Sequence, residues 1–219
     1  MPNHVTQQLT IVAAEAPEII KCIAGGDSAV DFHKVIPMPE ELNIEESSDG
    51  FIGLAAITGD CKRYLTFPWV KDEGIHTAEE FKAYVEREHP HGIELARKYI
   101  SNRQKYGHAT WREWSNANWG TKWNAYSVGE WESLPGRLTI RFNTAWSPAI
   151  PVIVKLSELF PSVPSILRYF DEGWGFAGEA LFESGTQIDE CFAPDRNDER
   201  TRAIYYQVYD EELKTPDEA

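Results

Sequence analysis

Leu138-Thr139-Ile140-Arg141-Phe142-Asn143-Thr144-Ala145-Trp146-Ser147-Pro148 alternates more regularly than any other part of the chain. Leu138, Ile140, Phe142, Thr144 and Trp146 fall on one side, Thr139, Arg141, Asn143 and Ala145 on the other. Such a period of two belongs to a strand with one face on a core, so all of the first set, Trp146 included, is expected to point inward. Ser147-Pro148 ends the strand and supplies a helix cap. Val152, Ile153, Leu156 and Leu159 then carry a helix over 149–160 that Pro161 closes. Residues 165–172 and 176–184 read as two strands around Gly173-Trp174-Gly175.

The same order recurs toward the N-terminus. Residues 5–12 alternate as a strand, Pro17 opens a short helix over 16–24 with Ile19, Ile20 and Ile23, and residues 30–36 read as a second strand stopped by Pro37 and Pro39. Between the halves lies a segment dominated by helices, at about 51–118. Thr77-Ala78-Glu79-Glu80 and Thr110-Trp111-Arg112-Glu113 both have the spacing of a capping box there. Residues 204–209 read as a last strand, followed by an acidic tail ending in Asp217-Glu218-Ala219. Strand–helix–strand twice, with the middle segment set aside, is the split βαβ order of a ferredoxin-like α+β sandwich. The expected organisation is a domain over 1–185 with a helical insertion, then a C-terminal strand and tail over 186–219.

At 219 residues, with 42% hydrophobic and 12% aromatic side chains, the chain can bury a substantial core. No apolar run approaches the about 20 residues of a membrane span, and the N-terminus does not read as a signal peptide. The three cysteines, Cys22, Cys61 and Cys191, are scattered, as suits reduced thiols and a cytoplasmic setting. Net charge is −14, and residues 171–219 hold 14 acidic against 4 basic side chains. That balance repels phosphate backbones, so duplex nucleic acid is not an expected partner.

Chemistry-bearing motifs are sparse. His89-Pro90-His91 is the one close histidine pair and lacks further ligands at a familiar metal spacing. No GxSxG is present, and Gly173-Trp174-Gly175-Phe176-Ala177-Gly178 lies between strands rather than opening a helix. The acidic pairs Asp171-Glu172 and Asp189-Glu190 read as surface. No metal or cofactor is therefore expected. What stands out is tryptophan: five of the eight lie between Trp111 and Trp131. Asn118, Trp119, Thr121, Lys122, Trp123, Asn124, Thr144 and Trp146 form the candidate ligand-binding set, because indoles stack on nucleobases while Lys and Thr can hold a phosphate. A competing reading makes the same residues a core corner, with the asparagines tying loop backbone.

Four segments in this order, Met1-Pro2-Asn3-His4-Val5, Val35-Ile36-Pro37-Met38-Pro39, Asn118-Trp119-Gly120-Thr121-Lys122-Trp123-Asn124 and Thr144-Ala145-Trp146-Ser147-Pro148, resemble the YubB ferredoxin-like family of bacterial phages and plasmids. The resemblance runs from residue 1 to about Gly185. It implies a ferredoxin-like fold and a mobile-element setting, and it brings no catalytic residues. Together these readings favour a non-catalytic binding protein acting in the bacterial cytoplasm. Its ligand would be small and nucleotide-like, such as a host-defence signal that a phage gains by sequestering, or else a host protein. An acidic interaction protein or DNA mimic is the alternative, followed by a nucleotide-processing enzyme; a homo-oligomer stays open.

Overall fold

The structure is a computed structural model and describes residues 3–213; Asp217-Glu218-Ala219, the end of the expected tail, lies outside them. The described residues form two compact units, one within 1–37 and 115–219, the other from residues 38–114. In chain order the helices and strands are β1 (His4–Ile11), α1 (Pro17–Ile23), α2 (Phe32–Val35), α3 (Ser48–Thr58), α4 (Pro68–Asp72), α5 (Ala78–Glu88), α6 (Pro90–Tyr106) and α7 (Trp111–Asn118). Then follow β2 (Glu132–Leu134), β3 (Arg137–Ala145), α8 (Ile150–Leu159), β4 (Ser165–Asp171), β5 (Ala177–Glu183), β6 (Thr186–Phe192) and α9 (Glu199–Tyr209).

The first unit is built on one antiparallel sheet in the order β2-β3-β1-β4-β5-β6. Its first four positions reproduce the split βαβ arrangement, and the β5–β6 hairpin extends it, so the expected α+β architecture is what forms. Leu9 lies opposite both Ile140 and Leu167, and Gln7 lies opposite Phe142. These side chains are buried with Val152, Ile153 and Leu156 of α8 and with Ile19 and Ile23 of α1. The other sheet face carries α9, whose Ile204 and Val208 pack on Phe170 and Ala177.

Two expected strands are helices. Residues 30–36 contain α2, because the Asp31 carboxylate accepts from the His33 N–H and caps a turn. The fourth position of the split motif is taken instead by β2, which pairs Glu132 with Thr139 and Leu134 with Arg137 across a tight turn at Gly136. Residues 204–209 lie in α9, not in a strand. Their aromatic and β-branched content suits a sheet, but Thr201, Ile204 and Val208 are the buried positions, a period near 3.6, and Asp198 caps the helix through the Thr201 N–H. Leu159, counted among the inward residues of α8, is 49% exposed at that helix's last position.

The second unit is helical. At Thr77 the capping box forms as spelled: the Thr77 side chain accepts from the Glu80 N–H and the Glu80 carboxylate accepts from the Thr77 N–H. Helices α3 and α6 meet through glycines, and a Cβ on Gly53 would collide with the Gly92 carbonyl oxygen. Phe81, Val85, Val70 and Ile93 form the core around them.

Candidate functional site

The tryptophan segment follows α7 in the first unit, and the structure separates its residues into two groups. The inner group is scaffold. Trp119 is 3% exposed, its indole N–H donates to the Ile36 carbonyl at 3.0 Å, and Phe32 and His33 meet its ring edge-on. Asn124 Oδ1 accepts from the Phe32 N–H at 2.8 Å while its amide donates to Asp31 Oδ1 at 2.7 Å, which fixes the start of α2. Buried Thr121 donates to the Ala145 carbonyl at 2.9 Å and accepts from the Ala145 N–H at 3.2 Å, standing in for a neighbouring strand at the end of β3. Thr144 accepts from the Gln7 side-chain amide and donates to the Ser147 carbonyl, and Gln7 Oε1 in turn accepts from the Ala149 N–H ahead of α8. Asn118 is half-buried at the end of α7. For Trp119, Thr121, Asn124 and Thr144 the core-corner reading describes the geometry.

The outer group faces solvent. Trp123 is 38% and Trp146 43% exposed. Between them lies the Lys122 ammonium, 4.5 Å from the Trp123 ring centroid and 4.8 Å from that of Trp146. Strand parity placed Trp146 inside, and the structure places it outside. β3 ends at Ala145, Trp146 adopts φ +72°, and its N–H donates to the Asn3 carbonyl, so the alternation stops one residue early and the side chain turns out. An L-residue with a bulky side chain is an outlier in this left-handed region.

Two residues outside the expected set continue the strip. Tyr126 meets Trp123 edge-on at 6.3 Å, and His4 Nδ1 lies 2.6 Å from the Tyr126 hydroxyl. The Thr144 carbonyl, 3.0 Å from the same hydroxyl, offers it an acceptor. Burial, and then the nearby Glu172 charge, pushes the Tyr126 phenol above its ordinary value, which keeps it protonated. Tyr126 also borders a cavity of about 560 Å³ lined by Asp27, Ser28, Val128, Glu130 and Trp131. The Trp131 indole N–H is buried there without a partner among the described residues. Tyr126 and Trp131 belong to the tryptophan-rich stretch, but only the short bridge from Tyr126 to Asn143 brings the former beside β3.

The other candidates take ordinary places, except that Asp171, expected at the surface, is 3% exposed. His89 Nδ1 pairs with Asp49 Oδ1 at 2.7 Å between the starts of α6 and α3. Among the described residues no three of His, Cys, Asp and Glu gather as a metal site would need. Gly173-Trp174-Gly175 is the β4–β5 turn, where the Gly175 N–H donates to Asp171 Oδ2. Among the described residues no helix is long and apolar enough to cross a membrane.

Residues 118–212 match a family model described as the ferredoxin-like domain in Api92-like protein. The match starts at the tryptophan segment and runs through β6 and α9, beyond the Gly185 limit of the resemblance read from the sequence. Among solved structures, the crystal structure of a protein Api92 from Yersinia pseudotuberculosis is similar at 12% identity and a TM-score of 0.40, covering 89% of this chain and 99% of that one. No curated protein matches the sequence.

Proposed function

We propose that the sheet unit is a binding module whose strip Trp146–Lys122–Trp123 takes a small, planar, anionic ligand, with a nucleotide as the leading class. The observation that carries this reading is Trp146: a bulky side chain held at φ +72° and 43% exposed, with its ring against an ammonium. A sparsely populated backbone conformation costs about 1–3 kcal/mol and is commonly kept where a site needs it. Exposing an indole is a second cost, and core packing explains neither. Lys122 lies over both rings, each more than a third exposed, so indole surface is available for a base to stack on while the ammonium supplies charge for a phosphate. No nucleophile or general base need be assigned for such a role. The fuller form of the proposal keeps the setting implied by the resemblance: a phage- or plasmid-borne protein in the bacterial cytoplasm that sequesters a nucleotide signal of host defence.

Titration of tryptophan fluorescence with adenosine, adenosine monophosphate and adenosine triphosphate tests it. Affinity is expected to rise with phosphate number, and Trp123→Ala is expected to cost about 1–3 kcal/mol of it, as removal of a base-stacking aromatic does elsewhere. A flat response to all three at millimolar concentration sinks the nucleotide reading.

A further inference from the structure

The sheet ends on one side at β2, three residues long, and on the other at β6, which runs seven residues from Thr186 to Phe192. Long open edges are templates for another strand, and proteins blunt them with proline, lysine, bulges or brevity. β2 is blunted by its length. β6 has no proline, lysine or arginine, and its ladder with β5 is unbroken from Glu183↔Thr186 to Ala177↔Phe192.

The turn fixes which backbone groups face outward. Ser184 and Gly185 both have positive φ, the signature of a two-residue turn whose flanking pair, Glu183 and Thr186, exchanges both backbone hydrogen bonds. Counting along the register, Thr186, Ile188, Glu190 and Phe192 turn their N–H and C=O groups toward β5. Gln187, Asp189 and Cys191 turn theirs to the open edge. On the sheet face that carries α9, Ile188 is 63% exposed opposite Leu181, also exposed. These two join Val12 and Ile166 around a cavity of about 530 Å³. Charge is acidic on balance: residues 183–200 contain six acidic side chains against Arg196 and Arg200, and Arg200 pairs with Glu190 of β6, leaving Glu183 and Asp189 as the hairpin's further negative charges.

We infer that the β6 edge accepts an extended segment of a partner protein, added antiparallel as a further strand, with an apolar residue opposite Ile188 and basic residues flanking it. Main-chain bonds to Gln187, Asp189 and Cys191 would supply affinity, and side chains on the α9 face the selectivity, as in other strand-addition complexes. A second copy of this chain fits poorly, since it would lay one acidic edge against an identical one. The surface is independent of the tryptophan strip.

The probe is a capped seven-residue peptide of alternating valine and threonine with a lysine at each end, compared with the same peptide carrying glutamates. Amide hydrogen exchange and fluorescence anisotropy provide the readouts. The lysine peptide is expected to bind at least tenfold tighter and to slow exchange at Gln187, Asp189 and Cys191, leaving Ile188 and Glu190 unchanged. Gln187→Pro removes an outward donor without touching the β5 ladder and is expected to abolish binding with the fold retained. Ile188→Lys, at an exposed side chain, keeps the backbone intact and is expected to weaken the lysine peptide at least tenfold. Unchanged exchange at the three outward amides under saturating peptide overturns the inference. Binding that survives both substitutions also overturns it, as does self-association of the free protein that Gln187→Pro removes.

Discussion

Trp119 and Trp123 stand one helical turn apart in sequence and have opposite fates. Trp119 is sealed under Phe32 and His33 with its N–H spent on Ile36, whereas Trp123 lies open beside Lys122 and shares that ammonium with Trp146. The same residue type thus serves as a core anchor in one place and a surface in the other. What separates them is burial, 3% exposure against 38%, and the Trp119 N–H has a backbone acceptor inside. A buried indole needs that acceptor, and the Ile36 carbonyl at the end of α2 supplies it.

The largest effect that tests this contrast is Trp119→Ala. Deleting a fully packed indole is expected to cost about 3–5 kcal/mol and to leave the Ile36 carbonyl without its donor. Trp123→Ala, at a ring more than a third exposed, is expected to cost less than about 1 kcal/mol. Urea unfolding of the two variants measures the difference. Equal losses would erase the division between scaffold and surface.

Asn124→Ala comes next. It removes the acceptor of the Phe32 and Ala125 N–H groups and the donor to Asp31, so an expected loss of about 1–3 kcal/mol follows from leaving partly buried polar groups unpaired. Amide exchange at Phe32 should accelerate with it. A stability change below about 0.5 kcal/mol would mean that the loop before α2 is held by something else.

This contrast also shows what the residues disclosed on their own. The alternation from Leu138 to Ala145 and the apolar face of α8 were legible because a single period governs each. The segment 30–36 was not, since the Asp31 cap on α2 is itself held by Asn124, 93 positions away, which bonds both Asp31 and the Phe32 N–H. Residues 204–209 misled for a related reason: their composition suits a strand, and only the burial of Thr201, Ile204 and Val208 along one side of α9 reveals the helical period. Of the candidate site, the stretch was legible but its division was not. Trp146 defeated strand parity because a dihedral at one residue, tied to Asn3, reverses the side chain's direction. Tyr126 and His4 gave no local signal, because a contact across 122 positions joins them.

Trp146→Gly sharpens the contrast further. Glycine adopts φ +72° without the penalty that Trp carries there, so relief of backbone strain should roughly offset the lost contact with Lys122. Stability is expected to stay within about 1 kcal/mol of the parent, or to rise, while affinity for any stacking ligand falls. A loss above about 3 kcal/mol in thermal unfolding would return Trp146 to the core and undo the case for the strip.

The smallest structural effect belongs to Lys122→Met, and it discriminates most cleanly. Methionine keeps an unbranched apolar stem between the rings and deletes only the charge, so what is lost from stability is the cation–π term, about 0.5–1 kcal/mol at an exposed site. If the ammonium serves only to tie Trp123 to Trp146, that small loss is the whole consequence, and ligand affinities stay as they were. If it serves a phosphate, adenosine triphosphate should lose affinity while adenosine does not, and the preference for phosphorylated ligands should collapse. Raising salt should mimic the substitution in the parent and do little to the variant, because exposed charges are screened over about 10 Å at 0.1 M. Equal weakening of charged and neutral ligands would instead assign Lys122 to the architecture, alongside Trp119.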